Sequence, residues 1–158
     1  MPTPIPDLDP ELERKLAAGL YNDVWRLLEL PIRLPAQDDE MLHLAHASRY
    51  HWGRVGRPVN LSRGEWMCSR VYSALGRPEP ALWHAKRCLE LLTEHGSGES
   101  WDLPAAYEAL ARASSVAGDA AETKRWLDMA HAALQAVTDA ADRKIIEDDL
   151  KTIALPPL

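Results

Sequence analysis

The chain has 158 residues, of which 46% are apolar and 27% charged, the proportions of a folded globular domain rather than a disordered tract. A net charge of −6 weighs against general binding to nucleic acid or anionic membranes, and no apolar run approaches the roughly eighteen residues that a membrane span needs. The two cysteines, Cys68 and Cys88, form neither a disulfide framework nor a metal-ligand spacing, so they read as reduced core thiols of a cytosolic protein.

Residues 1–8 carry three prolines and read as a flexible entry, and MPTPIPDLDP lacks the basic-then-apolar order of a signal peptide. Asp9-Pro10 has the form of an N-cap followed by proline at the first helical position. The predicted helix runs to about Ala18 and turns at Gly19. A second helix, about Asn22 to Leu30, places Val24, Leu27 and Leu28 on one side, and Pro31 and Pro35 close it. PIRLPAQ then reads as a linker.

The next helix, about 38–55, carries the apolar stripe Met41, Leu44, Ser48, Trp52 and Val55. Gly56-Arg57-Pro58 stops it. A helix capped by Asn60 or Ser62 follows and ends at Gly76, burying Leu61, Cys68, Val71, Tyr72 and Leu75. Further helices are expected at about 79–94, 102–117, 120–137 and 139–153, with His95–Gly98 as a flexible loop. No segment alternates as a strand does. The expected organisation is an all-α domain over 9–153, built from seven or eight helices, with a tail at 154–158.

Charge is unevenly placed along this order. Residues 41–77 hold six arginines, no lysine and one acid, Glu65, while residues 1–40 and 78–158 are both acidic. On the predicted 38–55 helix, His43, His46, Tyr50 and Arg54 recur at helical spacing opposite the apolar stripe; on the following helix Arg63, Trp66 and Arg70 do the same. Arginine gives planar, bidentate contact with carboxylate or phosphate, and Trp66 between two arginines suits stacking. The alternative is that these arginines pair with the acidic segments of the same chain.

Gly76 and Gly118 each sit between two amphipathic helices, with small residues such as Ala81 and Ala85, or Ala130, on the second. Tyr72, and Tyr107 with Leu110, stand on the first. This pattern resembles the tetratricopeptide repeat (TPR) over about residues 38–137, although the proline that closes each repeat is missing. AHASRYHW followed by NLSRGEW is also similar to bacterial proteins known only as TPR-like. The resemblance implies antiparallel helical hairpins in a short right-handed superhelix. It also implies that the 38–55 helix, turning at Gly56, lines the inner groove; it implies no chemistry.

The functional expectation is therefore a non-enzymatic interaction module. It would hold an acidic or carboxylate-bearing peptide with His43, His46, Tyr50, Arg54, Arg63, Trp66 and Arg70. No nucleophile–base pair, phosphate-binding glycine loop or cofactor motif is found. His43 and His46 offer two ligands to a metal, with a third needed from elsewhere. The rival readings are a small anionic ligand or metal in the same pocket, and a homodimer formed through terminal helices or the arginine patch. Glu108 and Arg112 read as an ordinary i,i+4 helix ion pair.

Overall fold

The computed structural model describes residues 1–158, and every regular element is helical. The helices are α1 (Pro10–Leu28), α2 (Pro35–Val55), α3 (Pro58–Ala74), α4 (Pro78–His95), α5 (Asp102–Val116), α6 (Ala120–Ala133) and α7 (Ala140–Lys151), with a short 3₁₀ turn at Leu134–Ala136. None of them is long and apolar enough to cross a membrane.

Proline opens each of the first four helices, where its fixed φ suits the first turn and its missing N–H is not needed. Asp9, Asp119 and Asp139 cap α1, α6 and α7 by accepting from backbone N–H groups two or three residues on. Ends are set by Gly76 and Gly118, both with positive φ. At each, the next residue's N–H reaches back to a carbonyl five residues earlier: Arg77 to Tyr72 at 2.9 Å and Asp119 to Ser114 at 3.0 Å. That is the same Schellman closure used twice.

Two expectations about the first third need correction. α1 is one continuous helix through Gly19, which lies on its exposed face with ordinary helical φ; a glycine there weakens a helix but does not oblige a turn. Pro35 begins α2 instead of closing a linker. The consequence is a shifted pairing. α1 packs on α2, α3 on α4 and α5 on α6, so α2 is the second helix of the first hairpin and not the first helix of a later one.

The core lies both within and between the hairpins and is made of small and medium side chains. Val24 and Leu27 meet Met41, Ala45, Met67, Cys68 and Val71 in one cluster; Ala81 and Ala85 meet Ala109, Leu110 and Ala113 in the next. Buried serines let helices approach and satisfy themselves on the partner's backbone: Ser48 donates to the Ala17 carbonyl at 2.8 Å and Ser69 to that of Ala81 at 2.9 Å. α7 crosses over to pack Ile146 and Leu150 against Ala130, Leu134 and Val137, beside Trp101 and Tyr107. Seven helices packed in neighbouring pairs form a repeat-like all-α domain.

Candidate functional site

The arginine-rich stretch meets four carboxylates that the fold has buried, and each must be matched by donors to stay ionised out of water. Glu13 takes Arg54 at 2.7 Å and His51 at 2.8 Å. Glu65 takes Arg49 at 2.8 Å and His84 at 2.5 Å. Asp102 takes Arg63 through two bonds, at 2.9 and 3.1 Å, and also accepts from the backbone N–H groups of Gly98 and Glu99. Glu108 takes Arg70, Arg112 and the indole N–H of Trp66. The expected i,i+4 pair Glu108–Arg112 is present, and with Glu108 2% exposed it forms part of a buried network.

These contacts show in the acidities. The His51 hydrogen bond, with Arg54, holds Glu13 below the usual carboxylate range. Burial would raise Glu65, but the His84 hydrogen bond and the Arg49 charge outweigh it and its pKa is lowered. Burial pushes both thiols, Cys68 and Cys88, up to about 12, so they stay protonated and weakly nucleophilic.

The seven residues singled out in the sequence do not share one surface. His43 and Tyr50 are exposed on α2, Tyr50 with its ring edge on His51. Arg54 turns back to Glu13 of α1. His46 faces α3 and α4, where its Nε2 lies 2.9 Å from the Tyr72 hydroxyl and its ring 5.3 Å from that of His84. Burial, and then the nearby His84, lower its pKa. No three His, Cys, Asp or Glu side chains come together in an arrangement that holds a metal ion.

Arg63, Trp66 and Arg70 are the subset that the structure does bring together. They lie on the other side of α3, facing α5 and α7. Trp66 packs on Trp25 of α1 with centroids 5.7 Å apart and donates to the Ala105 carbonyl at 3.1 Å. The Arg63 guanidinium stacks over Trp101, 4.4 Å from its centroid, and Arg70 lies 5.8 Å from that of Trp66. Arg70 also bonds Asp149 of α7 at 3.3 Å.

Between these groups, where α1, α3, α5 and α7 meet, is a cavity of about 230 Å³. Its walls are Tyr21, Trp25, Trp66 and Trp101, with Ile145 and Ile146 of α7 on a further side, Ile146 buried and Ile145 exposed at the rim. Three carboxylates reach it: Asp102, Asp142 and Asp149. Tyr21, Trp25 and Trp101 lie outside the arginine window and were not legible as site residues; aromatic side chains on α1 and at the start of α5, far apart in the chain, give no local signal of convergence. No protein-family model, curated protein or solved structure matches the chain.

Proposed function

We propose that the protein is a non-enzymatic recognition module of TPR-like build, and that the cleft between α1, α3, α5 and α7 takes a side chain from an extended segment of a partner protein. The observation that carries this reading is the cavity itself: four aromatic walls around about 230 Å³, open to solvent at Ile145, which is 62% exposed. Sites for drug-sized molecules run from roughly 300 to 1,000 Å³, so this volume suits one large side chain better than a free cofactor. The repeated glycine turn and the hairpin pairing support the TPR-like description.

A carboxylate-bearing peptide is the second reading, favoured by Arg63, whose side chain keeps 31% exposure at the cavity. Such a ligand must compete with Asp102, which already holds that guanidinium through two bonds.

Selection from a displayed peptide library against the full chain tests the site. Peptides recovered on the wild type should lose at least about tenfold in affinity for Ile145→Trp, which fills the mouth, a change of about 1.4 kcal/mol. They should bind Trp83→Ala normally, because Trp83 is an exposed residue of α4 outside this cleft. Peptides indifferent to Ile145→Trp would place recognition elsewhere.

A further inference from the structure

The cavity's charge is opposite to what the arginine count suggests. Arg63 is matched by Asp102, and Arg70 by Glu108 and Asp149. Asp142, in the first turn of α7, is the one carboxylate of the cavity with no cationic partner within salt-bridge distance. An aromatic enclosure with an uncompensated carboxylate repels anions and attracts cations, since ring faces carry negative potential. The protein already displays the chemistry on one wall, where Arg63 sits over Trp101 and forks onto Asp102. Trp25 and Asp142, both half-buried and both lining the cavity, offer the same two kinds of component, ring and carboxylate.

Resting on the groove reading above, we propose that the side chain this cavity takes is a guanidinium, an arginine of the partner segment lying on Trp25 and Trp66 with Asp142 as its counter-charge. Arginine fits better than lysine because its planar head stacks on indole and is more weakly hydrated than an ammonium. The net charge of −6 brings a basic segment to the protein, and Asp149 at the rim adds to the local field.

The test follows the indole N–H resonances of the full-length protein by NMR during titration with N-acetylarginine amide. N-acetylcitrulline amide serves as the neutral analogue of similar shape and N-acetylglutamate amide as the anionic one. The arginine probe should move the Trp25, Trp66 and Trp101 signals saturably and leave Trp83 still. Citrulline should bind at least about tenfold more weakly, and Asp142→Asn should weaken the arginine probe about three- to tenfold while leaving citrulline unchanged, as loss of one partly desolvated cation–carboxylate contact does. Because Asp142 also sits at the start of α7, an unchanged amide spectrum elsewhere in the variant checks that the fold is kept. Equal response to arginine and citrulline, a stronger response to glutamate, insensitivity to Asp142→Asn, or no shift of the three indoles would each overturn the guanidinium assignment. If selected peptides lose binding in Ile145→Trp yet carry no required arginine, this inference fails while the groove reading stands. If the arginine probe binds but selected peptides ignore Ile145→Trp, the cavity takes a guanidinium while the groove reading falls, and with it the assignment of that guanidinium to a partner segment.

Discussion

A carboxylate withdrawn from water needs a donor for each lone pair it exposes to the interior, and Glu108 is supplied from two helices. Arg70 and Trp66 reach it from α3 and Arg112 from α5 itself, so one side chain ties α3 to α5. Removing it leaves Arg112, 15% exposed, without its anion, and Arg70, 17% exposed, with only its 3.3 Å contact to Asp149. Glu108→Ala should therefore cost about 3–5 kcal/mol in urea denaturation, against about 0–1 kcal/mol for removing Glu11 from its exposed pair with Lys15. Similar losses for the two variants would show that the network contributes no more than surface charge. Spacing made the i,i+4 pair Glu108–Arg112 legible, and composition the possibility that the arginines meet the chain's own acidic segments, but neither showed which long-range partners meet. The partners stand far apart in the chain, Arg63 from Asp102 by 39 residues and Arg70 from Asp149 by 79, so composition showed an arginine excess while its counter-ions lay scattered through both acidic flanks. His46 supplies a pH dependence at the same scale. Its folded pKa lies below the ordinary imidazole value of 6.5, so the unfolded chain binds the proton more readily, and its contribution is intact above that value and lost as pH falls below it. Glu13 and Glu65 are lowered in the fold, so their stabilisation goes only below the ordinary glutamate value of 4.5. His46→Gln, which keeps a hydrogen-bonding group toward Tyr72, should shrink the stability difference between pH 7.5 and 5.5 and leave the steeper acid limb in place. A variant with an unchanged difference would assign that window to other groups.

At the scale of elements, helices approach closely where a side chain is absent. A Cβ added at Gly64 of α3 would stand 2.7 Å from Cδ of Arg49 and 3.3 Å from its Cβ, and Arg49 is held by its bond to Glu65 and has little freedom to yield. Gly64→Ala should thus push α3 off α2, at about 1–3 kcal/mol despite the gain in helix propensity. Gly19→Ala meets nothing within 4 Å and should stabilise α1 by about 0.5–1 kcal/mol. Thermal unfolding of the two variants should move in opposite directions; a stabilised Gly64→Ala would mean the α2–α3 contact can relax. The same pair explains what the sequence conveyed about elements. Gly76 and Gly118 were readable because amphipathic helices flank them on both sides and the φ they adopt favours glycine. Gly19 carried the same letter without that context, and splitting α1 there moved the hairpin pairing by one helix. That shift placed α2 in the inner layer, and with it His43, His46, Tyr50 and Arg54. Prolines were ambiguous in the same way: Pro35 and Pro58 each follow one helix and begin the next.

Across the whole molecule, the helices are unequal in how firmly they are held. α3 and α5 are packed on both sides by other helices and bury residues along most of their length. α7 buries only Ile146 and Leu150, and its remaining ties are polar: Asp149 to Arg70, and the Asp149 carbonyl and Thr152 hydroxyl to Arg112. Helices with little buried apolar surface open locally at a free energy below that of global unfolding. Native-state hydrogen exchange should therefore find α7 amides opening well before those of α3 and α5. Leu150→Ala, which empties one of the two anchors, should lower the α7 opening energy by about 2–5 kcal/mol, or down to zero if less is available, with little effect on α3. The distinction bears on the cleft, because Asp142, Ile145, Ile146 and Asp149 are all α7 residues: an α7 that opens alone takes one wall of the cavity with it. A ligand seated between α7 and the three tryptophans should then slow α7 exchange in proportion to its occupancy, by the linkage that favours whatever state it binds. If α7 exchanges only with the global transition, the cavity is as permanent as the core, and a partner must enter through the opening at Ile145 without help from the helix.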